Sequence, residues 1–169
     1  RYSNGRFHIH TWVPDFMEKA YLPANGDGCT FKSRDGSVVL SVSGSYMIPG
    51  QNIDDAYGRE TDPTITYKAR GGNWYVTSGI KNGNVYYKKK FFGTKVYASL
   101  YFAYPVRDRE NYDWINAVLD AHFISEDRDW GQEILWAGLG WIDFWFTEED
   151  QVWRMKWEWT NQTMYLHYM

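Results

Sequence analysis

The chain has a single cysteine, Cys29, only five prolines and no long apolar run. One thiol cannot form an internal disulfide, and a metal site built from several thiolates is excluded. Cys29 lies beside Gly28 and near Phe31, with nothing in the local sequence to activate it. It is expected to be a small buried filler rather than a nucleophile. No stretch approaches the roughly 18 apolar residues of a membrane helix, so a soluble chain is expected. A basic surplus is also lacking: 18 Lys and Arg stand against 21 Asp and Glu, a formal net charge of −3. That balance weighs against a partner with a phosphate backbone, and no nucleic-acid role is expected. A phosphate loop, a dinucleotide fingerprint and a nucleophile elbow are all missing.

Aromatic residues, in contrast, make up 20% of the 169 residues, and seven of the ten tryptophans fall between Trp130 and Trp159. The length suits one domain with a full core and an appendage. Strand signals dominate the first part. NGRFHIHTWVPDF alternates, with Phe7, Ile9 and Thr11 on one face and His8, His10 and Trp12 on the other, until Pro14 ends it. NGDG at 25–28 and Asp35-Gly36 mark turns around CTFKS, and SVVLSVSGS follows with Val38, Leu40 and Val42 alternating. Apolar density falls from Met47 to Pro63, where IDDAYGRE has room for one or two helical turns. TITYKARGG, NWYVTSGI, NVYYKKKFF and KVYASLYFAYP then read as strands, with hairpin turns at Gly71-Gly72-Asn73, Asn82-Gly83 and Gly93-Thr94. In DRENYDWINAVLDAHF the residues Ile115, Val118, Leu119, His122 and Phe123 form one helical stripe, with Asp108 as the expected cap. Hairpins with a packed helix predict an α+β sandwich, an antiparallel sheet flanked by helices.

This order of pieces, through the SRDGSVVL turn phrase and a closing helix ending in HF, resembles the Mog1/PsbP-like fold over residues 2–123. It resembles in particular the small bacterial envelope and lipoprotein versions of that fold. The resemblance implies binding or assembly more than chemistry, and it supplies no catalytic set. Some envelope members look like immunity proteins that neutralise secreted toxins, an analogy of fold that raises a prior. A domain over 1–126 is expected, followed by a linker and β-rich extension over 127–169 packed on it. The start at Arg1, without methionine or apolar leader, fits a trimmed start or a mature exported protein. The expected location is the periplasm or cell envelope, and a lipid anchor upstream of residue 1 is compatible with it.

WIDFWF, VWRMKWEW and TMYLHYM read as a three-stranded meander. Trp153, Met155, Trp157 and Trp159 share one face, and Arg154, Lys156 and Glu158 share the other. Isolated strands are marginal in water, so the meander must dock, either on the rest of the chain or on a partner. Trp141, Trp145, Glu148, Glu149, Asp150 and Tyr57 are the candidate partner-binding residues.

Other clusters have plainer explanations. His8 and His10, two apart on one strand, could supply two zinc ligands but lack an evident third, and exposed histidines on a polar face are the simpler reading. His122 is read as a hydrogen-bonded core histidine. DRDWGQE, 127–133, is partially similar to a calcium loop but reads better as a linker. Asn161-Gln162-Thr163 matches a glycosylation acceptor, relevant only to a eukaryotic secretory setting. Lys88, Lys89 and Lys90 alternate sides of a strand and are read as guards against edge pairing. No cofactor is expected. The leading function is non-catalytic protein binding, most concretely an inhibitor or immunity protein that occludes a toxin or enzyme. The alternatives are a small-ligand or glycan binder using tryptophan stacking, and a metal-dependent enzyme using His8 and His10.

Overall fold

The computed structural model describes residues 1–125, except the Lys19 side chain, and the backbone of the strands over 140–145, 152–160 and 163–168. The elements run β1 (Tyr2–Asn4), β2 (Ile9–Thr11), β3 (Met17–Tyr21), β4 (Gly28–Ser33), β5 (Val39–Tyr46), α1 (Ile53–Gly58), β6 (Ile65–Arg70), β7 (Trp74–Lys81), β8 (Asn84–Phe92), β9 (Val96–Pro105), α2 (Arg109–His122) and β10 (Ile124–Ser125). The backbones of β11 (Gly140–Trp145), β12 (Val152–Thr160) and β13 (Thr163–Tyr168) pair in that order as antiparallel neighbours.

The centre is a seven-stranded sheet of order β3-β4-β5-β9-β8-β7-β6, antiparallel at every pairing. Its hairpins follow turn chemistry. Asn82 and Gly83 both have positive φ, 51° and 76°, as the two-residue Asn-Gly connection between β7 and β8 requires. Cross-strand registry joins Leu40, Phe102 and Tyr87, and then Val42, Leu100, Lys89 and Val76, on one face. Ile115 and Leu119 of α2 and Phe123 at its C-cap join these residues in one core cluster with Phe7 and Ile9. β1, β2 and β10 form a small second sheet of order β1-β2-β10 on this side.

Several expectations are corrected at the first strand. Asn4 Oδ1 accepts from the backbone N–H groups of Arg6 and Phe7 at 3.1 and 3.3 Å, which turns the chain between β1 and β2. His8 therefore sits in a turn with φ of 51°, not on a strand. His10 is not an exposed polar-face residue either. It lies on the central strand of the small sheet, opposite Ser3 and Ile124, and is buried. In α2, Ile115 and Leu119 are sealed, but His122 is exposed at the last turn instead of in the core. Asp108 occupies the cap position without a side-chain capping bond, because a short 3-10 turn over Val106–Asp108 precedes the helix. Cys29 is buried, as a filler would be, and burial raises its thiol pKa.

Gly44 is where the small sheet meets the large one. A Cβ there would sit 2.6 Å from Ile9 Cδ1 and 2.7 Å from Phe7 Cβ. Gly44→Val is expected to lower unfolding free energy by about 1–3 kcal/mol through overpacking, measured by denaturant titration. Unchanged stability would mean that the two sheets are not in close contact there.

Candidate functional site

The opposite face of the large sheet is closed differently. α1 contributes no buried residue. Asn52 caps it, its side chain accepting from Asp55 N at 2.9 Å. Lys68, from β6, donates Nζ to the carbonyls of Tyr57 and Glu60 at 2.7 and 3.0 Å, which satisfies the carbonyl end of the helix. Tyr57 packs edge-on to Tyr75 with ring centroids 5.6 Å apart, and Lys68 lies 4.0 Å from the Tyr57 ring centroid. Arg70 pairs with Asp54 at 2.6 Å.

Glu60, just beyond the helix, is the centre of this arrangement. Its side chain is 13% exposed. Oε1 accepts from the Tyr75 hydroxyl at 2.8 Å and faces Lys90 Nζ at 3.3 Å, while Oε2 accepts from Lys88 at 2.8 Å. Burial alone would raise the Glu60 pKa, but the bonds from Lys88 and Tyr75 and the charges of Lys88 and Lys90 outweigh it, and the net shift is downward. Lys88 and Lys90 thus point to one face and Lys89 to the other, where it meets Asp120 at 2.8 Å. The alternation is as expected, but the purpose is not. β8 lies inside the sheet between β7 and β9, so the lysines form internal ion pairs and guard no edge.

Between α1, the 48–52 segment and this sheet face lies an open cleft of about 560 Å³. Tyr75, Phe92 and Tyr97 form its aromatic floor. Phe92 stacks on Tyr75 at 5.9 Å and meets Tyr97 edge-on at 5.0 Å. Arg59, Glu60 and Lys90 supply charge, and Ile48, Pro49 and Ala56 are apolar wall. Ile48-Pro49-Gly50-Gln51 is a tight turn: Gln51 N donates to Ile48 O at 3.0 Å, and Gly50 has φ of 82°. Proline second and a positive-φ glycine third is the pattern of a type II turn. It holds Ile48 out at the mouth of the cleft, 68% exposed.

Of the candidate residues inferred from sequence, Tyr57 lies against this site, with its ring engaged by Tyr75, Lys68 and Arg70. Trp141 and Trp145 lie on the β11 backbone, and their side chains are outside the described residues. Glu148, Glu149, Asp150, the 127–133 segment and Asn161-Gln162 also lie outside them. His8 and His10 do not share a strand face, and no group of three or more metal-ligating side chains occurs among the described residues. No helix among them is long and apolar enough to cross a membrane. Sequence reasoning did not single out Glu60, Arg59 or Ile48, and it read Lys90 as an edge guard rather than as part of a site. A usable signal was the placement of Lys88 and Lys90 side by side on one strand face between Tyr86 and Phe92, which calls for a buried counter-charge.

A mostly antiparallel sheet with one longer helix defines an α+β protein of the PsbP-like fold. The chain is similar to the solution structure of cyanobacterial PsbP (CyanoP) from Synechocystis sp. PCC 6803, with a TM-score of 0.58 and 9% identity over 73% of this chain and 90% of that one. Neither a family model nor a curated protein sequence matches. At that identity the likeness is one of fold.

Two acid responses follow. Burial first, then the charges of Arg1 and His8, lower the pKa of His10 from 6.5 to about 4. The unfolded chain therefore binds a proton that the folded chain refuses, and stability falls as pH drops from 6.5 towards 4. His10→Asn, whose amide can still meet Ser3 Oγ, should flatten melting temperature across that window; an unchanged slope would remove His10 as its cause. For Glu60 the folded pKa is depressed, so its contribution is present above the ordinary 4.5 and is lost as pH falls through the lower folded value. Glu60→Gln should be less stable at neutral pH by about 1–3 kcal/mol and should lose less than the parent on acidification below pH 4.5. Thermal melts of both proteins from pH 7 to 2 give the comparison.

Proposed function

We propose that this chain is a non-catalytic binding module of the bacterial envelope, most concretely an inhibitor or immunity protein that blocks a secreted toxin or enzyme by occlusion. The observation that supports the reading is Ile48, an exposed aliphatic side chain held outward by a tight turn beside an aromatic-floored cleft. A pre-set apolar group at the mouth of a pocket loses little conformational freedom on binding, which favours tight contact. The tryptophan-rich meander is assigned a second contact, with Trp141 and Trp145 as anchors and Glu148, Glu149 and Asp150 matched to basic groups of the partner. The envelope location rests on the resemblance to small exported proteins of this fold.

A second reading is a small-ligand binder. The cleft volume falls in the range of ligand pockets, roughly 300–1,000 Å³, and the rings it offers are Phe92 and Tyr97 over the buried Tyr75 rather than tryptophans.

The immobilised chain should retain one dominant protein from an envelope and secretome extract of the producing organism, and that protein's toxic or enzymatic activity should fall when the chain is added. Ile48→Asp should weaken the association by about tenfold or more, as loss of an interface anchor does. No retained protein, or equal retention by the variant, would count against occlusion through this surface.

A further inference from the structure

Two lysines on one carboxylate leave a positive charge in excess. Lys88 takes the short bond to Glu60 Oε2 at 2.8 Å. Lys90 faces the other oxygen at 3.3 Å, and that oxygen already accepts from the Tyr75 hydroxyl at 2.8 Å. Lys90 is thus the less fully neutralised of the pair, and it is the one that lines the cleft. It lies above an aromatic surface, 5.7 Å from the Tyr75 ring centroid and 5.9 Å from that of Tyr97. Arg59, at the C-terminal cap of α1, is exposed and lines the same cleft. Glu60 is the one carboxylate lining it among the described residues. The chain as a whole is acidic, at −3, so this concave spot opposes the sign of the molecule.

We propose that the cleft is an acid-recognition pocket: it takes a glutamate or aspartate side chain of the partner protein, between Lys90 and Arg59, while apolar residues flanking that acid pack on Ile48, Pro49 and the Phe92–Tyr97 floor. The inference rests on the occlusion reading and names the chemistry its partner must present. A carboxylate matches the surplus charge, and Arg59 can add a bidentate contact from the rim. The apolar wall and rim at Ile48 and Pro49 extend recognition beyond the anion itself and favour a peptide over a free acid. Lys90 stays protonated throughout the ordinary pH range: burial pulls its pKa down, but the neighbouring Tyr97 and Tyr75 hydroxyls more than offset this.

Two acetylated, amidated tripeptides, Leu-Glu-Leu and Leu-Gln-Leu, test this by NMR titration of the full chain. The glutamate peptide should shift the resonances of Ala56, Phe92 and Tyr97 and bind at least about tenfold more tightly than its uncharged counterpart. The preference should shrink as salt rises. Lys90→Met and Arg59→Gln should each abolish it. Arg59 is exposed, so its variant keeps the test valid should Lys90→Met fail to fold. Lys81→Gln, whose lysine pairs with Asp62 away from the cleft, should leave the preference intact. Equal binding of the two peptides would overturn the proposal, as would an undiminished preference in Arg59→Gln. Acetate or inorganic phosphate displacing the peptide at its own concentration would also overturn it, making the cleft a general anion site. If the peptides bind alike while Ile48→Asp still loses the captured protein, occlusion stands and acid recognition falls. If the peptides discriminate but no protein is captured, the pocket stands without that role.

Discussion

The carboxylate of Glu60 holds the outer layer of this protein to its sheet. α1 spans six residues and seals no side chain, so apolar burial cannot fix its position. A helix that short is also far below the length at which helical hydrogen bonding sustains itself in water. What remains is the edge contact of Tyr57 on Tyr75 and a polar set: Glu60 bonded to Tyr75 and Lys88 and faced by Lys90, the Lys68 ammonium on the helix carbonyls, and Arg70 on Asp54. The Arg70–Asp54 pair is solvated and contributes little. The Glu60 cluster is mostly withdrawn from water, where a missing partner costs far more than the same loss at the surface. The wall of the cleft stands because that cluster is satisfied.

The same device recurs on the other face, with a different balance. Tyr87 donates to Asp120 and Tyr104 to Asp113, both at 2.6 Å, so these two buried tyrosine hydroxyls each meet a carboxylate of α2. Burial and the neighbouring carboxylate together push both phenols far above their ordinary pKa. There, however, the tyrosine–carboxylate bonds sit at the margin of an apolar seam made by Ile115, Leu119, Phe7 and Ile9. The seam carries the stability, and the tyrosine bonds set the helix orientation upon it.

This difference also explains what could be inferred from sequence. Alternation in SVVLSVSGS and the Asn82-Gly83 and Asp35-Gly36 turns report local backbone demands, and the structure follows them. The PsbP-like order of elements rests on those local signals. β3 escaped because its sequence, MEKAY, mixes charge and apolarity and its pairing is broken by a register shift between Met17 and Lys19. His8 and His10 were misjudged because one Asn4 side chain diverts the backbone into a turn, which alternation cannot reveal. The lysine run was misjudged for a non-local reason. Whether β8 is an edge depends on strand order, and its alternate faces were legible while its neighbours were not. Glu60 was invisible for the same reason, since its partners lie 15 to 30 positions away in the chain.

A face closed by apolar packing cannot be adapted to a partner without exposing a core, whereas a face closed by ion pairs can exchange one oxygen ligand for another. On the proposed reading, a carboxylate from outside meets Lys90 where its contact with Glu60 is long, at 3.3 Å, and the short Lys88 and Tyr75 bonds can persist. Binding there need not loosen α1. The sheet is thus closed by an apolar seam on the side under α2 and by ion pairs beside an open cleft on the side under α1. That division follows from which carboxylate is saturated with partners and which cation is left in excess.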